Sequence, residues 1–203
     1  MPKTIIVSNR LPVKIKVEKN EFKTRRSEGG LATGLGSIYK KAKITAQLKK
    51  DNMAPVFLTQ TEIEEFYEGF SNETLWPNFH YFNQFAVYNT GLWKAYQKVN
   101  RKFAKEIAKI ASPDDTIWIH DYQLLLVPQM VREMFPRISI GFFLHIPFPS
   151  FESFRLLPWR RELLLGMLGS DFLGFHTYDD MRHFLSSVNR RAGFGNSNGK
   201  MTV

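Results

Sequence analysis

Apolar positions along this chain follow two rhythms, one suited to strands and one to helices. Thr4 to Ser8 is a short β-branched run that ends in Ser8-Asn9-Arg10, which predicts a buried strand feeding a polar loop. Val13 to Val17 alternates apolar and basic residues, and Glu18-Lys19-Asn20-Glu21 turns the chain, so a hairpin is expected there. Pro55 to Thr59 reads as another buried strand, followed by a helix from about Thr61 with Thr61 and Glu64 as its capping box. From Leu92 to Ile110 the spacing is helical, with Tyr96, Val99, Phe103, Ile107 and Ile110 on one stripe.

The same alternation continues to the far end. Strands are predicted over Thr116 to His120, Ile138 to His145 and Phe172 to Phe175, and helices over Leu124 to Phe135, Pro158 to Leu168 and Tyr178 to Arg191. In the last helix Met181, Phe184, Leu185 and Val188 face inward. Continuous apolar strands alternating with helices imply an α/β fold, a doubly wound and mainly parallel sheet covered on both faces. Residues 1–192 are expected to form one domain. The Gly-, Asn- and Ser-rich stretch Gly193 to Gly199 opens a mobile tail, 193–203.

Composition narrows the class. The 203 residues suffice for one substantial core, and the 43% hydrophobic and 23% charged content is that of a globular protein. No apolar run approaches the roughly 20 residues that span a bilayer, and Ile5-Ile6-Val7 is too short for a signal peptide, so no membrane role is expected. The absence of cysteine excludes disulfides and thiolate metal sites and fits a cytoplasmic protein. A net charge of +9 favours an anionic partner, but the basic pairs are scattered along the chain (Lys40-Lys41, Arg160-Arg161, Arg190-Arg191). Phosphorylated small molecules are therefore favoured over nucleic acid.

In parallel sheets ligands collect at the carboxyl ends of strands. Asn9-Arg10, His120-Asp121, His145 and His176 all fall at such ends. Arg10 suits a phosphate clamp or a surface ion pair; Glu28 to Leu35 is a glycine-rich loop entering a helix, suited to an anion or to a plain tight turn. His120-Asp121-Tyr122 lacks a third metal ligand at a recognisable spacing, and a carboxylate accepting from sugar hydroxyls is its more natural use. His145 caps a strand or belongs to a rigid loop set by Pro147 and Pro149. Tyr67, Trp76, Phe79, His80 and Tyr81 are core or, beside polar strand ends, walls for a sugar. No G-x-S-x-G elbow is present.

Several blocks carry a family resemblance: Ser8 to Pro12, Glu28 to Leu35, Leu75 to Tyr81, Trp118 to Leu124, Gly141 to Ser150, Leu157 to Arg160 and Gly174 to Tyr178. In this order and over nearly the whole chain, they resemble the trehalose-6-phosphate synthases. The resemblance implies the N-terminal, acceptor-binding Rossmann-like domain of a GT-B glycosyltransferase, which moves glucose from UDP-glucose to glucose 6-phosphate with retention and without metal or cofactor. It places Arg10, Tyr67 and Asp121 on the acceptor, Gly29, Gly30 and His145 on the donor, and Trp76 and His145 in anomer selection. Asp121 and His145 become the catalytic pair. Two departures stand out. The family's C-terminal donor-binding domain is missing, which implies a fragment inactive alone, and Tyr39 to Ala54 lacks the family's Trp- and Gly-containing loop. A catalytically silent sugar-phosphate sensor is the alternative, and self-association is left open.

Overall fold

The computed structural model describes residues 1–10, 13–18, 21–26, 38–193, 196–197 and 199–201. The chain opens with strand β1 (Thr4–Val7) and an antiparallel hairpin, β2 (Val13–Glu18) and β3 (Glu21–Arg26), in register with Val13 opposite Arg26. Helix α1 (Ile38–Lys50) follows and buries Ile44 and Leu48. Met53 to Thr59 has no regular secondary structure and belongs to no sheet among the described residues, so the strand expected at Pro55 to Thr59 does not form. Val56 and Leu58 nevertheless pack against the core, which is the burial that gives the segment its strand-like pattern.

The next element is one continuous helical rod of changing pitch. It begins as α2 (Gln60–Glu62), widens to a π-helix over Ile63–Leu75, and ends as α3 (Trp76–Phe79). Its capping box is formed by Thr59 and Glu62, two residues before the pair expected from sequence. Thr59-Gln60-Thr61-Glu62 and Thr61-Glu62-Ile63-Glu64 are overlapping versions of one motif. The earlier version prevails because Glu62 is buried against Lys102 Nζ (2.6 Å) and Lys98 Nζ (3.1 Å), whereas Glu64 is exposed.

Helix α4 (Thr90–Ile110) starts at Asn89, whose side chain accepts from the Gly91 and Leu92 N–H groups. Strand β4 (Thr116–His120), α5 (Val127–Met134), β5 (Ser139–Phe143), α6 (Phe151–Phe154), α7 (Arg160–Leu168), β6 (Phe172–Gly174) and α8 (Tyr178–Ala192) complete the alternation. A short antiparallel pair, β7 (Asn196–Ser197) and β8 (Lys200–Met201), lies in the glycine-rich tail. Among the described residues no helix is long and apolar enough to cross a membrane.

The main sheet has the order β1-β4-β5-β6 and is parallel throughout, the α/β class expected. One face carries Val7, Ile117, Ile119, Ile140 and Phe142 into the core beneath the packed layer of α4, α5, α7 and α8. On the other face, among the described residues, Ile6 is 71% and Phe172 57% exposed. Two aromatic rings lie flat there across glycines of the next strand. A Cβ at Gly141 would come within 2.3 Å of the Trp118 ring, and one at Gly174 within 2.6 Å of the Phe143 ring. Trp118 also stacks on Phe172 at 5.9 Å between centroids, so the apolar area of this face is partly self-covered.

Candidate functional site

A cavity of about 340 Å³ opens at the carboxyl ends of β1, β4 and β5. Ser8 to Arg10 line it after β1, His120 to Gln123 after β4, and His145 after β5. Three adjacent parallel strands thus deliver their polar terminal residues to one place, the position at which such sheets hold ligands.

Arg10 reaches this cavity with its guanidinium already anchored. Nη2 donates a hydrogen bond to the Tyr67 hydroxyl, and the guanidinium carbon stands 5.8 Å from the centroid of the same ring. That hydrogen bond, reinforced by the electrostatics of Tyr67, raises the Arg10 pKa above its ordinary value and keeps the cation fixed. Neither an acidic partner nor a surface ion pair holds Arg10 among the described residues. Tyr122 lies beside the two, and its hydroxyl donates to Asn72 Oδ1 at 2.9 Å. Burial, and then the neighbouring Tyr67 and Asp121, push the Tyr122 pKa up to about 12, so it remains a neutral phenol.

Asp121 occupies unusual backbone. Its φ of 78° and ψ of 165° fall in a region that glycine favours and that costs other residues about 1–3 kcal/mol. The conformation is held by its N–H donating to Phe143 O (2.9 Å) and by the carboxylate. Oδ1 accepts from the Tyr122 N–H at 2.9 Å and the His145 N–H at 3.3 Å. One oxygen therefore ties the loops after β4 and β5 together. Oδ2 has no partner among the described residues and is left for a ligand.

Two residues that sequence reasoning assigned only to a helix stripe, or passed over, hold this loop from beneath. Tyr96 Oη donates to Tyr122 O at 2.7 Å and accepts from the Leu125 N–H at 3.1 Å. Asn100 Nδ2 donates to Gln123 O (2.9 Å), and its Oδ1 accepts from the Leu126 N–H (3.2 Å). Both side chains are fully buried, and burial is the largest influence holding the Tyr96 pKa well above the ordinary phenol value. The available signal was Asn100 itself, an amide set among the apolar positions of the α4 stripe, where it requires buried partners.

His120 and His145 form the cavity's other wall, with His120 Nδ1 and His145 Nε2 2.8 Å apart. The His176 ring lies 5.8 Å from His145, edge-on. Among the described residues no group of three or more His, Asp or Glu is placed to hold a metal ion. Trp76 stands outside the cavity lining. It is half exposed and stacks on His80 at 4.1 Å, and its segment joins the post-β5 loop through the Ser150 N–H, which donates to Tyr81 Oη at 2.8 Å. Arg10, Tyr67, Asp121 and His145 are thus brought together, Trp76 is set apart, and Gly29 and Gly30 lie outside the described residues.

A parallel sheet that gathers an anchored guanidinium, a half-used carboxylate and two imidazoles around one open cavity defines a Rossmann-like α/β domain. Comparison with known proteins makes this specific. Residues 2–202 match the profile of glycosyltransferase family 20, and the chain belongs to that family. The bifunctional trehalose-6-phosphate synthase/phosphatase of Thermoproteus tenax is 43% identical over 227 residues, covering 98% of this chain and 30% of that protein. Two solved structures each superpose with a TM-score of 0.68 at 28% identity, over 97% of this chain and 37% of theirs. One is a UDP-forming alpha,alpha-trehalose-phosphate synthase from Burkholderia xenovorans in complex with glucose-6-phosphate. The other is the E. coli trehalose-6-phosphate structure bound with UDP-2-fluoro glucose. The chain spans well under half the length of these relatives.

Proposed function

We propose that this chain supplies the acceptor-binding half of a UDP-forming trehalose-6-phosphate synthase, which transfers glucose from UDP-glucose to glucose 6-phosphate with retention of configuration. The observation that carries the reading is a pairing of chemistries in one cavity. Arg10 is an anchored, permanent cation suited to a phosphate, and Asp121 offers one carboxylate oxygen, unpartnered among the described residues, suited to sugar hydroxyls. The relatives whose structures hold glucose-6-phosphate and UDP-2-fluoro glucose support the substrate assignment.

In this reading Arg10, anchored by Tyr67, binds the acceptor phosphate, and Tyr67 helps hold the acceptor glucose. Asp121 accepts hydrogen bonds from the acceptor glucose and orients the attacking hydroxyl. His145 faces the glucose being transferred, and Gly29 and Gly30 approach the donor diphosphate. Trp76 with His145 selects the anomer. Neutralisation of the departing UDP falls to basic side chains and helix N-termini, most of them in the second GT-B domain that the family resemblance implies. No metal, cofactor or nucleic acid takes part.

Calorimetric titration with glucose 6-phosphate and with UDP-glucose, run beside a UDP-release assay, tests the proposal. Glucose 6-phosphate should bind, UDP-glucose should bind weakly, and UDP release should appear only when a donor-binding domain is supplied in trans. Failure to bind glucose 6-phosphate removes the acceptor reading. Rapid UDP release from this chain alone overturns the division of labour between halves.

A further inference from the structure

We propose that His120 is a positioning residue for His145, fixing both the orientation and the tautomer of the ring that faces the transferred sugar. The inference deepens the functional reading above and rests on it for the role of His145.

The two histidines end neighbouring parallel strands, with His120 opposite Phe143 in register and His145 two residues further on. Their rings are 5.1 Å apart with planes 26° from parallel, and the Nδ1–Nε2 distance of 2.8 Å is that of a hydrogen bond. Such a bond between two imidazoles needs one N–H and one bare nitrogen, so it couples the tautomer of each ring to that of the other.

The partners differ in how firmly they are held. His120 is half-buried, with the Trp118 ring edge-on at 6.3 Å. His145 is exposed, and besides His120 the rings that flank it among the described residues are Phe143 and His176 at 4.8 and 5.8 Å. Ring packing restrains a plane but cannot choose which nitrogen carries a proton. Among the described residues, only His120 hydrogen-bonds the His145 ring. Burial, and then the proximity of His145, lower the His120 pKa, while Asp121 acts in the opposite sense, so His120 is neutral near pH 7 and can take part in the pair as a single tautomer. With Nε2 engaged, Nδ1 is the nitrogen that His145 offers to the cavity.

Substitutions at His120 separate positioning from general support. Asparagine places a polar atom where Nδ1 stands, glutamine where Nε2 stands, and alanine neither. The first measurement is long-range ¹H–¹⁵N NMR of this chain labelled in its histidine rings. It should show a single His145 tautomer and a ¹⁵N–¹⁵N coupling between the rings. H120N should keep one His145 tautomer, whereas H120Q and H120A should give averaged nitrogen shifts. Averaged shifts in the parent, or shifts unchanged in H120A, would overturn the pairing whether or not the chain belongs to a sugar transferase.

The second measurement is UDP release by the chain with a donor-binding domain in trans. H120A and H120Q should lower kcat about tenfold with the KM for glucose 6-phosphate little changed, and H120N should recover most of the rate. An intact ring pair with no loss of kcat in H120A would overturn the positioning role alone. Absence of turnover in the parent would count against the functional reading, and the NMR result would still decide the pairing. A lowered affinity for glucose 6-phosphate in every variant would make His120 a support of the whole cavity and overturn the proposal.

Discussion

The Tyr96 hydroxyl and the Tyr122 carbonyl, 2.7 Å apart, join the middle of α4 to the loop that carries Asp121. The same hydroxyl accepts from the Leu125 N–H, so one buried oxygen satisfies two backbone groups of a loop without regular structure of its own. Tyr96→Phe leaves both groups unpaired in the core, at a cost of about 1–3 kcal/mol. A lowered melting temperature is expected, together with weaker glucose 6-phosphate binding because Asp121 is no longer held from below. A melting temperature within a degree of the parent's would show that the loop is stabilised elsewhere.

Arg10→Ala removes the charge assigned to phosphate. A charge-assisted hydrogen bond contributes about 1.5–3 kcal/mol, so glucose 6-phosphate affinity should fall roughly ten- to a hundredfold. Free glucose should be much less affected. The comparison is made by competition calorimetry with the two sugars, and equal losses for both would take Arg10 out of phosphate recognition.

The backbone at Asp121 allows a paired substitution. Asp121→Gly and Asp121→Ala both remove the carboxylate and should both abolish sugar-phosphate binding. Only glycine adopts a φ of 78° without strain, so the glycine variant should be the more stable by about 1 kcal/mol or more. Denaturant midpoints decide this, and an alanine variant equal to or above glycine would mean that the loop relaxes to another conformation.

Glu62 predicts the response to acid. Burial acts to raise its pKa, but hydrogen bonds from Lys102, the Thr59 N–H and Lys98 outweigh burial and lower it from 4.5 to about 2. A folded-state pKa below the unfolded one contributes stability that is complete above pH 4.5 and fades as pH falls toward 2. Its full value is on the order of 3 kcal/mol. Lys102→Met should therefore destabilise at pH 7 and move the acid transition to higher pH, with the gap from the parent closing below about pH 3. Parallel circular-dichroism acid titrations test this, and coincident curves would refute it.

Where local chemistry sufficed, the sequence was a good guide. β4, β6, α4 and α8 lie within about two residues of expectation, because β-branched runs and apolar stripes need only alternate with polar neighbours. The strand-end rule likewise brought Arg10, Asp121 and His145 to one cavity. Failures arose where a distant partner decides. Val56-Phe57-Leu58 has the pattern of a strand and the burial of Val56 and Leu58, yet it is not a strand of any sheet among the described residues. The wide winding over Ile63–Leu75 is confirmed by the Trp76 N–H bonding Ser71 O, five residues back, a choice made by packing against α4 that a 3.6-residue period cannot announce. A non-glycine residue at φ 78° leaves no mark in composition, since the bonds that hold it come from Phe143 and His145.

The divided use of the Asp121 carboxylate has a consequence for selectivity. Because Oδ1 must accept from two backbone N–H groups, an amide at this position could satisfy them only by turning its carbonyl oxygen toward them. Its NH₂ would then stand where Oδ2 now is. Asp121→Asn would invert the hydrogen-bonding polarity of the pocket at that point, from a taker of protons to a giver. The fold would stay silent about the change, and a ligand's hydroxyl groups would have to answer with a lone pair instead of a hydrogen.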